Sequence, residues 1–485
     1  MPSVEQLSGA DRAWLLMERP TNPMVVVGLI VLARPLGLAR LQALIKERFL
    51  IFRRFREVPV SNSTSATWTE AEQFDLTDHV RRIALPEGAG QEDLESLVGE
   101  LASTPLKPGA PLWSFHLVEG YQNGCALIVR VHHCYADGIA LIEVLLSLAD
   151  RDAARRNVAA KAGRTPARTS RPAEGAPGST APASASTPAS VALLPRLIPD
   201  YVFRALRESA DVIEKGVHYA LHPREGATFA QDALGVAGEL ARLGALADDP
   251  PTQLKQPLTG IRRVAWADPL SLDEVRTIGG VLGCTVNDVL VASLAGALGH
   301  YLETHGDEVS GRTIRAAVPV NLRSPADPAG NLGNRFGLVF VPVPIGIRHP
   351  LERLYTVHAS MQALKGSSQA VAILGLLSLV GNLPAAVEES AIALFTAKAS
   401  LVASNLRGPP EPLSIGGIRV TQVLFWVPQG GSVGTGVSIL SYAGRVQFGV
   451  IADRQLIPRP RELVELIGVE FERLVYLVLM GGGSL

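Results

Sequence analysis

Cysteine is scarce: Cys125, Cys134 and Cys284 are the whole supply in 485 residues. Three thiols build no disulfide framework, and no Cys-x-x-Cys pair occurs, so neither a disulfide-stapled secreted scaffold nor that kind of zinc site is indicated. A reducing compartment is the expectation. An excess of one charge is missing too, with 45 Lys and Arg against 46 Asp and Glu. Proteins that grip a nucleic-acid backbone normally carry a basic excess, so nucleic acid is not an expected partner. The start, Met1-Pro2-Ser3-Val4-Glu5-Gln6, has no basic stretch leading into an apolar one, and no secretory signal is expected. No apolar run reaches the ~20 residues that span a bilayer. Ala370–Val380 stops at Gly381 and Pro384, and Ala391–Phe395 follows charged Glu388 and Glu389. These two segments read first as buried core helices; a surface that dips into lipid or lines a lipid tunnel is the alternative. No fixed-period repeat stands out.

What is present is a chain long enough for about two to four domains, 47% hydrophobic, with one conspicuous interruption. From Asp152 to Ser190 large apolar residues almost vanish, and Pro166, Pro172, Pro177, Pro182 and Pro188 recur. Such a stretch buries too little surface to offset its ordering entropy and is expected to be a flexible linker, residues 152–197. It is basic: Arg155, Arg156, Lys161, Arg164, Arg168 and Arg171 face only Asp152 and Glu174. That makes it either a solvated tether or a segment drawn to anionic lipid head groups. It divides an N-terminal part, 1–151, from a C-terminal part, 198–485. Both parts mix elements. Hydrophobic spacing predicts strands over 22–32, 125–131, 261–266, 315–320, 336–343, 418–427, 435–441 and 445–452. It predicts helices over 38–52, 139–148, 201–217, 271–281, 285–302, 350–398 and 459–477. The fold class expected is α/β, layered as α+β, in two halves.

The chemically informative string is Cys125-Ala-Leu-Ile-Val-Arg-Val-His132-His133-Cys-Tyr-Ala-Asp137-Gly138. An apolar strand delivers two histidines to a turn, and a helix begins at Asp137 or Gly138. Strand alternation puts Leu127, Val129, Val131 and His133 on one face, with Arg130 and His132 on the other. Two histidines on opposite faces do not ligate one metal, so no metal is expected here. On the apolar face His133 is favoured as a neutral imidazole, the form a general base requires. His132 is assigned to supporting the turn. Asp137 reads equally as a helix N-cap, and Gly138 as a residue of unusual backbone angles.

The string His132-His133-x-x-x-Asp137-Gly138 resembles the active-site motif of the coenzyme-A-dependent acyltransferase superfamily, which includes chloramphenicol acetyltransferase and peptide-synthetase condensation domains. Further landmarks resemble those of the bacterial wax ester synthase/diacylglycerol acyltransferase family. They are Leu7-Ser8-x-x-Asp11 with Pro23-Met24, Pro111-Leu112-Trp113, Asn287-Asp288-Val289, Gly330-Asn331-x-Gly333-Asn334, and Ser404-Asn405 with Gly408-Pro409. The resemblance covers most of the chain in order outside the linker. Leu406-Arg407 departs from it, since family members often carry Val-Pro there. What the resemblance implies is two chloramphenicol-acetyltransferase-like subdomains with the active site at their interface. The implied reaction moves a long-chain acyl group from acyl-CoA to diacylglycerol or a long-chain alcohol, with no metal or redox cofactor. His133 would take the hydroxyl proton, Asp137 would orient the turn from the side, and Asn287 would donate a hydrogen bond to the developing oxyanion.

Plainer roles stand beside these. Thr285-x-x-Asp288 ahead of an apolar run is a capping-box pattern that would make Asn287 and Asp288 structural. Pro111-Leu112-Trp113 reads as packing where a strand begins, and Ser404 and Asn405 as turn formers or hydrogen-bonding groups near the site. Gly430-Gly431-Ser432-Val433-Gly434 fits the nucleophile pattern of serine hydrolases, but that pattern needs a strand before and a helix after. Here a second strand is expected after it. Remaining rivals are a non-catalytic lipid-binding or droplet-coating protein of the same fold, and a related acyltransferase using another alcohol. The expected location is cytoplasmic, with peripheral contact to a membrane or lipid droplet left open.

Overall fold

Val25–Leu32 and Gly124–His132 are apolar, largely β-branched or aliphatic, and buried along their whole length. Strands of that kind belong in the middle of a sheet covered on both faces. They pair antiparallel, from Val25 opposite His132 to Leu32 opposite Cys125. Around them the computed structural model builds a six-stranded sheet in the order Ser414–Ile415, Ile418–Trp426, Val25–Leu32, Gly124–His132, Trp113–Tyr121, Val80–Ala84. A second sheet runs Phe336–Val343, Ile314–Asn321, Leu401–Arg407, Thr435–Tyr442, Arg445–Asp453, Arg262–Trp266. The mixed α/β architecture expected from the sequence is the one observed.

The structure describes residues 5–61, 66–150, 242, 244–323, 332–365, 369–380 and 385–481. The chain divides into two compact units, Met1–Ala153 with Leu246–Leu485, and Ala154–Ala245. The first is described below. The linker expected over 152–197 and the helix expected over 201–217 lie outside the described residues.

Within the first unit the strand Ile418–Trp426 belongs by sequence to the C-terminal part, yet it pairs with Val25–Leu32 in the N-terminal sheet. The next strand, Thr435–Tyr442, is back in the second sheet. This exchange stitches the sheets together. Between them Val27 and Ile128 pack against Val264, Trp266 and Ile451, with the Trp266 and Trp426 rings 6.1 Å apart.

Most expected elements occur within a few residues of their expected bounds. Thr285 and Asp288 close the reciprocal capping box of helix Val286–Thr304 that the sequence pattern suggests, and Ser271 caps the helix before it by accepting from Glu274 N. One expectation changes. The helix over 38–52 ends at Leu44 and continues as a widened turn, Ile45–Phe49. The helices expected over 350–398 are Pro350–Lys365, Gln369–Val380 and Ala385–Ala397. The last two are apolar without a clear polar face because they line a cavity as well as the core. A close approach fixes the first of them: a Cβ on Gly337 would sit 1.8 Å from the Ala370 carbonyl oxygen. Among the described residues no single helix is long and apolar enough to cross a membrane.

The second sheet is backed by helices joined through a buried ion pair. Arg353 donates to the carbonyls of Ala292 and Ile347 and pairs with Glu470, the Arg353 and Glu470 side chains being deep in the core. Gly296 leaves the room, since its Cβ would overlap Arg353 and Glu470. Removing one partner strands the other charge. Glu470→Ala is therefore expected to destabilise the fold by about 3–5 kcal/mol in urea unfolding, whereas a loss below about 1 kcal/mol would show the pair to be dispensable.

Candidate active site

The strand Gly124–His132 ends in a turn where Tyr135 N donates to His132 O, and His133 N donates to Met24 O at 2.8 Å. Alternation holds to the end of the strand. Leu127, Val129 and Val131 enter one core with Trp14 and Met24, while Ala126 and Ile128 enter the core between the sheets. His133 continues the first face and His132 the second. His132 Nδ1 accepts from Cys134 N, and its Nε2 lies 3.3 Å from Glu18 Oε2. That places it in the support of the turn, as the alternation predicts.

His133 is buried, and its Nδ1 has no hydrogen-bond partner among the described residues. Its ring stacks on Trp14 with centroids 4.0 Å apart and lies 5.5 Å from the Phe336 ring. Burial among these groups pushes the imidazole pKa down to about 4, against a smaller opposing pull from Asp137. The ring is therefore neutral at ordinary pH.

Asp137 does not reach the imidazole. It caps helix Gly138–Ser147 by accepting from Ala140 N at 2.9 Å, so the capping role read from sequence is real. Its second oxygen accepts from Arg323 Nη2 at 2.8 Å, Arg323 Nε at 3.1 Å and Arg335 N at 3.0 Å. Arg323 also donates to Gly333 O at 2.6 Å. The turn is thus clamped to the segment around Gly333 by an ion pair in which two guanidinium N–H groups converge on one carboxylate oxygen. Nothing in the sequence singles out Arg323, 186 positions away from Asp137.

A second brace comes from the first helix, Gly9–Met17. Ser8 caps it through Asp11 N at 3.1 Å. Asp11 then accepts from Asn334 N at 3.0 Å and Nδ2 at 2.8 Å, and the same Nδ2 donates to His133 O at 2.9 Å. One helical turn on from Asp11, Trp14 lies against the imidazole. Leu7-Ser8-x-x-Asp11 and Gly333-Asn334 are therefore two ends of one hydrogen-bonded brace. Trp14 carries no motif signal beyond its spacing from Asp11. Gly330 and Asn331 lie outside the described residues.

His133 and Asp137 face a cavity of about 150 Å³ whose wall is almost wholly apolar. Ala13, Trp14 and Met17 form one side, and Phe336, Leu338 and Phe340 another. Ile373, Leu377, Ile392 and Phe395 of the two apolar helices form a third. The lipid-tunnel alternative for those helices thus has a physical counterpart. Ser404 also lines the cavity; its hydroxyl is buried and has no hydrogen-bond partner among the described residues. Leu406, where the sequence departs from the family pattern, contributes to the same wall.

Other candidates lie elsewhere. Asn287 is exposed, accepts from Asn405 Nδ2 at 2.9 Å, and is not part of the cavity wall. The structure thus brings Ser404, and not Asn287, to the cavity that holds His133. Asp288 completes its capping box and lies 2.7 Å from His358 Nδ1. Cys284, Asp288 and His358 hold potential ligand atoms within 4.8 Å of one another, although the Asp288 oxygen is already engaged there. Pro111-Leu112-Trp113 is packing: Leu112 O accepts from His132 N, Leu112 N donates to Tyr135 Oη, and Trp113 is buried against Phe49 and His79. Gly138 opens its helix without a positive φ, so unusual angles are not its reason; a Cβ there would meet Phe425 Cε1 at 3.4 Å. Ser432 sits exposed in a loop between strands Ile418–Trp426 and Thr435–Tyr442, which is no nucleophile elbow.

Comparison with known proteins places these features. The family description "Wax ester synthase/diacylglycerol acyltransferase catalytic domain" matches residues 7–290, and "WS/DGAT C-terminal domain" matches residues 332–475. A relative in Mycobacterium tuberculosis H37Rv, provisionally named a diacylglycerol O-acyltransferase, is 28% identical over 99% of this chain and 92% of its own. Another from that organism, named "Probable diacyglycerol O-acyltransferase tgs1", is 27% identical over 84% of this chain and 81% of its own. Among solved structures, the wax ester synthase/diacylglycerol acyltransferase from Marinobacter aquaeolei VT8 matches with a TM-score of 0.65 at 22% identity, covering 99% of this chain and all of that one. The first condensation domain of the calcium-dependent antibiotic synthetase matches with a TM-score of 0.58 at 15% identity, covering 98% and 96%. At those identities the structures speak to the fold.

The buried stacking of His133 has a direct consequence. In a 15N-histidine NMR titration of the folded protein, His133 is expected to stay neutral as pH falls through 6.5 and to take its proton only near about pH 4. Titration near the ordinary 6.5 would show that the ring is solvated and the burial argument wrong.

Proposed function

We propose, for a chain that belongs to the wax ester synthase/diacylglycerol acyltransferase family, that it moves a long-chain acyl group from acyl-CoA to diacylglycerol or a long-chain alcohol with His133 as general base. The observation that carries the reading is a neutral, buried imidazole on the wall of an apolar cavity, with Asp137 locked by Arg323 instead of bonded to the ring. The hydroxyl proton passes to His133 as the oxygen attacks the thioester carbonyl carbon. The tetrahedral oxyanion then collapses, the carbon–sulfur bond breaks, and the imidazolium returns its proton to the coenzyme A sulfur. A base with so low a pKa gains its proton only as negative charge develops beside it, so the ion pair exists in the transition state and not in the resting site.

A donor to that oxyanion is also needed, and Ser404 supports the role. Its hydroxyl is buried, unpartnered among the described residues and part of the same cavity wall as His133. An unsatisfied buried hydroxyl costs stability at rest and gains a partner when the oxyanion forms. Asn287, exposed and bonded to Asn405, is assigned to holding those two segments together.

The apolar cavity fits lipid binding without turnover as well, and one assay separates the readings. Thiol release from a long-chain acyl-CoA should depend on added alcohol or diacylglycerol; no acceptor dependence in the folded protein would favour the binding protein. In the same assay Ser404→Ala is expected to lower kcat by about 10²–10³, the usual cost of losing one oxyanion donor. Asn287→Ala should stay within several-fold of the parent. The opposite ranking would return the oxyanion role to Asn287.

A further inference from the structure

A second cavity, of about 50 Å³ and also apolar, lies beneath helix Gly138–Ser147, walled by Ile142, Leu145, Leu146 and Ala149 on one side and Gly28, Val423 and Leu440 on the other. Nothing in the reaction described above uses it. Phe425, buried on strand Ile418–Trp426 directly opposite Gly28, lines this second cavity and packs against Gly138, a residue of the wall of the cavity that holds His133. A Cβ on Gly28, in the second cavity's wall, would lie 3.8 Å from Phe425 Cδ2. A Cβ on Gly138, in the first cavity's wall, would lie 3.4 Å from Phe425 Cε1. Those two atoms are at opposite corners of the ring, so the aromatic group fills the space between the two glycines, one from each wall. Helix Gly138–Ser147 joins the two spaces as well, with Gly138 and Ile139 in the first wall and Ile142 and Leu145 in the second.

Size gives the arrangement a meaning. A dry cavity of roughly 150 Å³ holds a molecule about as large as benzene, well short of a long aliphatic chain. The space beside His133 is of that order, and the second cavity is lined with nothing but apolar groups and glycine, apart from the Tyr442 ring. We propose that the aliphatic chain of a substrate held beside His133 runs past Phe425 into the second cavity, so that Phe425 sets the chain length the site accepts. This rests on the acyl-transfer reading above. Gly28 and Gly138 leave the ring flanks without a Cβ, which is what a side chain needs if it is to turn aside for a chain. The chain belongs either to the acyl group or to the acceptor, and the test separates the two.

Phe425→Ala and the milder Phe425→Leu would be compared with the parent against acyl-CoAs of increasing length at one fixed alcohol, and against alcohols of increasing length at one fixed acyl-CoA. Each added methylene that gains apolar burial contributes about 0.8 kcal/mol, so two suffice for more than a tenfold change. Removing the ring is expected to raise the long-to-short ratio of kcat/KM at least tenfold in one panel and leave the other panel's ratio alone; the panel that moves identifies the chain. The converse variant, Ala149→Leu, fills the second cavity and should lower the same ratio. Unchanged ratios in both panels for both Phe425 variants would overturn the proposal while leaving acyl transfer itself intact. If the parent turned over no acyl-CoA at all, the acyl-transfer reading would fail first. Calorimetric binding of fatty alcohols of increasing length would then still decide, because equal length dependence in parent and Phe425→Ala removes the second cavity as a chain site.

Discussion

A buried carboxylate fixes the geometry on which the site depends. Asp137 sits 3% exposed at the end of the histidine turn, and a charge in that position is tolerable only if its oxygens are fully used. They are: a helix N-terminus takes one, and the Arg323 fork with the Arg335 amide takes the other. Arg323 in turn binds the carbonyl of Gly333, next to the Asn334 that holds both Asp11 and the His133 carbonyl. Three distant segments thereby close on one turn. The imidazole is aimed by its backbone and by the Trp14 ring, and the acid beside it is structural.

That division explains the electrostatics of the cavity. With Asp137 paired to Arg323, its pull on His133 is smaller than the effect of burial, which dominates. A charged resting imidazole would be poorly solvated there and would draw water into a space otherwise suited to hydrocarbon. In the proposed reaction, a base kept neutral until substrate brings its own developing charge lets one wall serve both chain binding and proton transfer. The sheet exchange has the same logic at larger scale. Strand Ile418–Trp426, inserted beside Val25–Leu32, places Phe425 against Gly138 at the start of helix Gly138–Ser147 and leads through Val427 and Gly430 into the cavity wall.

Much of this was legible in the sequence where physics is local. The period-two pattern from Leu127 to Val131 separated His133 from His132, and the structure puts those faces in different cores. Caps at Thr285 and Asp137 announced helix starts, and two apolar strands framing Ser432 argued against a nucleophile elbow. What stayed hidden depends on long-range closure. Arg323 is one arginine among many until the chain folds it onto Asp137. Trp14 looks like an ordinary core residue of the first helix. Asn287 and Ser404 looked alike as polar landmarks, and only packing shows that one faces solvent and the other the cavity. The strand exchange was equally invisible, because hydrophobic pattern tells a strand from a helix but not which sheet it joins.

The central claim is that a neutral His133 removes the acceptor's proton. It is tested most directly by His133→Ala in a protein whose circular dichroism and thermal unfolding match the parent. Ester formation from a long-chain acyl-CoA and an alcohol or diacylglycerol should fall by about 10²–10⁴, the usual contribution of a positioned base. Ester formation at the parental rate in that variant would contradict the account.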